Sequence, residues 1–173
     1  MSLDCGCNGI ALLTLSNNWA SCIRGICSDR ARLEAAFGRT LFIHLTRENK
    51  LDQAISYVKA KQSGLWHMAT DGTEIERLSA PADPVYDREA IADQLEASFR
   101  MDAEWAAWFA QERIAPLRIT YDALSEDPHG VRAQVLAALG LAYEAERVAV
   151  PVAKLADGLN VEWAERFRRE VPG

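Results

Sequence analysis

The stretch "FIHLTRENKLDQAISYVKAKQSGLW", residues 42–66, changes character in its middle. Residues 42–45 are apolar except for His44, as strands covered on both faces tend to be, and they fall within a strand expected over residues 40–46. From residue 49 to about 63 the apolar residues Leu51, Ala54, Ile55 and Val58 recur at helical spacing, and Gly64 supplies a stop. A buried strand therefore passes directly into a helix. Arg47 stands at the junction and Ser56 follows nine residues later. In open parallel sheets ligands bind beyond the carboxyl ends of the strands, where loops lead into helices.

The elements on either side fit an alternating pattern. Residues 9–15, "GIALLTL", read as a buried strand, and residues 28–37, "SDRARLEAAF", as a short helix that Ser28 or Asp29 can cap and Gly38 can end. Residues 65–86 hold two prolines, an Asp71-Gly72 turn and weak periodicity, which predicts an excursion over the surface. So long a connection is more often functional than not. Asp87 can cap a long helix to about residue 112, with Ile91, Leu95, Phe99, Trp105 and Phe109 as a broken apolar stripe. "PLRITY", residues 116–121, is a third strand with Tyr121 at its end. In "SEDPHGVRAQVLAALG" Asp127 takes a cap, Pro128 the first helical position and Gly140 the stop. A linker around Pro151 precedes a final helix, "GLNVEWAERFRRE". Strands alternating with helices predict a single α/β domain over residues 1–173, its sheet mainly parallel.

Composition narrows the function classes. A chain of 173 residues, 49% hydrophobic and 25% charged, can bury a real core. Its net charge of -6 excludes the broad basic footprint of a nucleic-acid binder, while leaving room for a local basic pocket around one small anion. No run reaches the roughly 18 apolar residues of a membrane span. The start of the chain, with Asp4 and Asn8, lacks a positive region followed by a hydrophobic core, so a cytoplasmic protein is expected. Cys5, Cys7, Cys22 and Cys27 fit the spacing of zinc knuckles poorly. Reduced thiols and no metal are expected.

An arginine at the carboxyl end of a parallel strand can hold a phosphate through two charge-assisted hydrogen bonds. Ser56 would add a neutral hydroxyl donor from the next helix. A surface charge and a tolerated helical serine would give the same two residues. Gln62, Trp66 and His67 lie where that helix runs into the long connection. A tryptophan beside hydrogen-bonding side chains suits a sugar platform, and equally suits a loop anchored to the core. His67 could serve as a general base, a role histidine side chains commonly take. His44 is expected to be a hydrogen-bonded core residue.

Taken together, "HLTRENKLDQAISY" and "RITYDALSEDPHGVRAQVLAALGL" closely resemble the sulfotransferases that use 3′-phosphoadenosine-5′-phosphosulfate (PAPS). The likeness is closer still to the bacterial trehalose 2-sulfotransferase-like family, which has near counterparts of "TRENKLDQAISYVKAKQSGLWH" and "KLADGLNVEWAERFRRE". It covers roughly residues 9–170. The resemblance implies a three-layer, P-loop-hydrolase-like sulfotransferase fold with PAPS, or its product adenosine 3′,5′-bisphosphate, as the nucleotide. Arg47 and Ser56 then correspond to the pair on the 3′-phosphate, and Tyr121 to a tyrosine near the adenine. Lys154 could add a late contact to the nucleotide. A sugar or glycolipid would be the acceptor, with Gln62, Trp66 and His67 the candidates on that side.

The chain also departs from the family. The Ser-, Thr- and Gly-rich loop that holds the 5′-phosphosulfate has no counterpart here, and members tend to carry a lysine about where Thr14 falls. The chain is thus expected to lack the N-terminal phosphosulfate loop and the catalytic base, and no catalytic residue is assigned. A homodimer or strand exchange is expected to cover the sheet. The alternative is a non-catalytic remnant that binds nucleotide or serves as an assembly module. A kinase-like relative is disfavoured, since no Gly-Lys-Ser/Thr phosphate loop is present.

Overall fold

The computed structural model describes residues 40–142 and 157–170, together with the single positions 35 and 38. Along the chain the elements are β1 (Ile43–Thr46), α1 (Lys50–Ser63), β2 (Leu65–Met68), β3 (Glu74–Arg77), α2 (Arg88–Gln111), β4 (Leu117–Thr120), α3 (Tyr121–Glu126), α4 (Pro128–Ala138) and α5 (Gly158–Glu170). The expected strand at residues 9–15, most of the expected helix at 28–37, the four cysteines and Lys154 lie outside the described residues. Two compact units emerge, one drawn from Met1–Thr46 and Met101–Ala145, the other from Arg47–Arg100 and Glu146–Gly173.

In the first unit β1 and β4 pair in parallel, from Ile43 opposite Leu117 to Thr46 opposite Thr120. This small parallel sheet flanked by helices makes the protein α/β, as the alternating pattern predicts. The carboxyl-terminal part of α2 supplies Trp105, Trp108 and Phe109, which form a buried aromatic cluster with Phe42. Phe42 meets Trp108 edge-on at 5.5 Å between ring centroids, and Trp105 meets Trp108 in the same way at 5.5 Å. Such T-shaped pairs add about 0.5–1.5 kcal/mol each beyond the area they bury. His44 is buried against Phe109, with ring centroids 5.5 Å apart. The Thr46 hydroxyl donates to Asp102 Oδ2 at 2.9 Å and fastens the end of β1 to α2.

β4 ends one residue earlier than expected. Thr120 is extended, and its Oγ1 accepts from the Ala123 backbone N–H at 3.1 Å, so it caps α3 and makes Tyr121 the first residue of a helix rather than the last of a strand. Asp127 then caps α4 through the Gly130 N–H at 2.8 Å, Pro128 opens that helix, and Gly140 follows it with φ +71°. All three were marked by the sequence.

The second unit is organised around α1. Asn49 Oδ1 accepts from the Asp52 N–H at 3.1 Å, and Gly64 takes the left-handed conformation and donates to the Ala60 carbonyl at 2.9 Å. Both ends of α1 therefore fall where the sequence placed them. The apolar face Ala54, Ile55 and Val58 is buried against Ile91 of α2 and against Trp163, Ala164 and Phe167 of α5. The three α5 residues recur at i, i+1 and i+4, one stripe of an amphipathic helix. Phe99 does not continue the core stripe expected along α2: it is 58% exposed.

Residues 65–77 are not the featureless excursion expected. They form a β-hairpin, β2 antiparallel to β3, around the Asp71-Gly72 turn. Asp71 Oδ1 accepts from the Thr73 N–H at 2.9 Å, which lowers the carboxyl's pKa, and Gly72 has φ +88°. Arg77 ties the hairpin to α1 by donating from Nη1 to the Ser63 carbonyl at 2.6 Å while pairing with Glu74. Four-residue strands are too short for their alternation to stand out, and the Asp71-Gly72 pair was the available signal.

Candidate functional site

Arg47 directly follows the carboxyl end of β1 and is half-buried two residues before the Asn49 cap of α1. Lys50, at the first helical position, is buried to 7% exposure with Nζ 3.4 Å from Gln53 Oε1. A cation at the start of a helix opposes the helix dipole, an arrangement that a bound anion would offset. Glu48 and Asp52 accompany Arg47 and Lys50 there, so residues 47–52 carry two charges of each sign.

Ser56 lies two turns into α1, and its surroundings were not legible in the sequence. The Asn160 side-chain amide of α5 donates from Nδ2 to Ser56 Oγ at 2.9 Å. Asn160 Oδ1 in turn accepts from Lys59 Nζ at 2.6 Å, and Lys59 Nζ also donates to Asp157 Oδ1 at 2.6 Å. Asp157 Oδ1 accepts from the backbone N–H groups of Leu159 at 3.0 Å and Asn160 at 3.3 Å, so it caps α5 as well. Burial pushes the Asp157 carboxyl up, but the Lys59 hydrogen bond and charge, with the two backbone donors, outweigh it and hold its pKa below the usual value. Asn160 is 4% exposed. The available signal in "GLNVEWAERF" is an asparagine at helical spacing from Trp163, Ala164 and Phe167, and its partner 104 residues away could not be inferred.

Tyr121 is half-buried at the start of α3, and its carbonyl accepts from Ser125 Oγ at 2.8 Å. Arg47 and Ser56 belong to one compact unit and Tyr121 to the other.

The three acceptor-side candidates are spread over different surroundings. Gln62, near the end of α1, accepts from the Val85 N–H at 2.7 Å and lines an open groove of about 400 Å³ with Tyr86, Arg88, Arg166 and Glu170. In that groove Tyr86 donates from its hydroxyl to Glu170 Oε2 at 2.9 Å, Arg166 Nε donates to Glu170 Oε1 at 2.8 Å, and the Arg166 guanidinium lies 3.9 Å from the Tyr86 ring centre. The Arg166 hydrogen bond, helped by Tyr86, holds the Glu170 carboxyl below its usual range. Trp66, on β2, packs edge-on against Tyr57 at 5.5 Å. His67 is exposed on the opposite face of the strand, its Nδ1 2.5 Å from Glu76 Oε2 on β3. Among the described residues no group of three or more His, Cys, Asp or Glu side chains could hold a metal ion, and no helix is long and apolar enough to cross a membrane.

A small parallel sheet flanked by helices, with β1 running directly into α1, defines an α/β protein, and in such sheets ligands bind beyond the carboxyl ends of the strands. The family model of the Stf0 sulphotransferases matches residues 10–170, and the chain belongs to that family. It is 29% identical over 145 residues to a trehalose 2-sulfotransferase of Mycobacterium tuberculosis (strain ATCC 35801 / TMC 107 / Erdman), covering 83% of this chain and 51% of that protein. It is 30% identical over 131 residues to a trehalose 2-sulfotransferase of Mycolicibacterium smegmatis (strain ATCC 700084 / mc(2)155), covering 75% and 46%. The chain spans about half the length of these curated relatives.

Proposed function

We propose that this chain carries the nucleotide-binding part of a sulfotransferase that takes PAPS as donor and a carbohydrate hydroxyl as acceptor. Arg47 and Ser56 hold the 3′-phosphate and Tyr121 serves the adenine, where an aromatic face can stack on a flat base. The observation that carries this reading is the position of Arg47, half-buried directly after the carboxyl end of β1 and two residues before the cap of α1. The planar guanidinium suits phosphate oxygens in particular. Family membership directs the choice toward a sulfuryl donor.

The relatives' names make trehalose the first acceptor to test, ahead of other sugars and glycolipids. The groove beside Gln62 offers hydroxyl-binding groups for it, and no metal is required. Binding and turnover are separate questions, because the chain spans about half of each relative. Calorimetric titration with adenosine 3′,5′-bisphosphate should give saturable binding, and its absence overturns the proposal. Transfer of labelled sulfate from PAPS to trehalose or another sugar would exclude a purely binding role. A homodimer belongs to this reading, and a monomer in sedimentation at about micromolar concentration would remove that part of it.

A further inference from the structure

We infer that Asn160 is a positioning residue for the nucleotide: it fixes which way the Ser56 hydroxyl donates, and so sets the preference for a 3′-phosphorylated ligand. The inference rests on the assignment of Ser56 to the 3′-phosphate. An ammonium group can only donate, so Lys59 requires Asn160 Oδ1 on its side, and the two groups are 2.6 Å apart. The amide Nδ2 must then face Ser56, where it lies 2.9 Å from Oγ. A serine oxygen that accepts in this way keeps its single proton for another acceptor. Among the described residues that proton has none, whereas Ser98 and Ser125 each spend theirs on the carbonyl four residues earlier in the helix. Without Asn160, Ser56 could turn its hydroxyl back to its own helix in the same way.

The chain of donors runs in one direction, from the Lys59 ammonium through the Asn160 amide to the Ser56 hydroxyl. Polarisation along such a chain strengthens the last donor. Asp157 keeps the Lys59 ammonium in place and also caps the helix that carries Asn160. A phosphate is an acceptor without protons to give at neutral pH, so a hydroxyl held as a donor recognises it, whereas a freely rotating one recognises it less well.

The test is a thermodynamic cycle on Asn160→Leu, which is neutral and close in size, and on Ser56→Ala, with adenosine 3′,5′-bisphosphate and adenosine 5′-phosphate as ligands. Ser56→Ala should weaken the bisphosphate about tenfold or more and leave the 5′-phosphate unchanged, as loss of a hydrogen bond to a charged group implies. Asn160→Leu should weaken the bisphosphate about fivefold, again without effect on the 5′-phosphate, and should add nothing in the Ser56→Ala background. Equal weakening of both nucleotides by Asn160→Leu, or losses that multiply in the double variant, would overturn the inference. So would a loss on Ser56→Ala with none on Asn160→Leu, which leaves the Ser56 assignment standing. No loss on Ser56→Ala would remove that assignment and this inference together. Should Asn160→Leu unfold, Asn160→Ala reports the same selectivity ratio with a smaller side chain at the packed position.

Discussion

The two compact units solve the problem of burying polar groups in opposite ways. In the unit holding β1 and β4 the interior is an aromatic cluster, and among the described residues Trp105 Nε1 and Trp108 Nε1 are buried with no hydrogen-bond partner. In the unit holding α1 and α5 the buried polar residue Asn160 is satisfied on both sides, by Lys59 and Ser56. Buried polar groups left unpaired carry a cost, while a satisfied network specifies one geometry. The contrast assigns different work to the two regions. Both have an apolar core, and the second adds a network that holds particular side-chain atoms in particular directions.

The largest expected effect lies in the aromatic cluster. Trp105→Ala should cost about 3–5 kcal/mol in denaturant unfolding, because Trp105 is 1% exposed and packs against the rings of Trp108 and Phe109. Trp105→Phe should cost much less than that, since it also removes an unpaired N–H. If the two substitutions cost the same, the cluster is not held by packing alone.

Next come two glycines, each following a helix in one of the two units. Gly140 has φ +71° with nothing within 4 Å of an added Cβ, so Gly140→Ala should cost only the left-handed penalty of about 1–2 kcal/mol. Gly64 has φ +76°, but a Cβ there would stand 2.7 Å from the Ser79 carbonyl oxygen and against the Ser79 hydroxyl. Gly64→Ala should therefore be clearly the more destabilising in thermal melts. Equal melting temperatures for the two variants would mean that the chain around Ser79 does not press on the end of α1.

The smallest effect is on pH dependence. The Asp157 carboxyl has a folded pKa below its unfolded one, so its stabilising contribution is complete above about 3.9 and is lost as pH falls through the lower folded value. Wild type should be more stable than Asp157→Asn at about pH 7, and the two should converge in acid. Curves that stay parallel to the acid limit would show that the Lys59 pair contributes nothing to holding α5.

Features set by a few neighbouring residues were legible in the sequence. Asn49 and Gly64 bound α1, Asp127 and Pro128 open α4, and the 3.6-residue pattern of "GLNVEWAERFRRE" is α5. Local chemistry decides each of these, by a side chain reaching a free backbone N–H or a glycine accepting positive φ. The differences arose where longer-range packing decides, as at Phe99, or where one local bond ends a short strand, as at Thr120. Phe99 has the spacing of a core residue yet is exposed, Tyr121 passes from strand to helix because Thr120 caps, and a hairpin of two four-residue strands hides in residues 65–77. At the candidate site Arg47 could be chosen from its place after an apolar strand. The residues that hold Ser56 could not, since Lys59, Asp157 and Asn160 meet only when α5 docks on α1.

The central claim is that the junction at Arg47 binds the 3′-phosphate of a sulfate donor. Calorimetry on wild type and Arg47→Ala, with adenosine 3′,5′-bisphosphate set beside adenosine 5′-phosphate, tests it most directly. Wild type should prefer the bisphosphate, and Arg47→Ala should lose about 1.5–3 kcal/mol of binding for the bisphosphate alone. Equal affinity of wild type for the two nucleotides, or an unchanged bisphosphate affinity in Arg47→Ala, would contradict it.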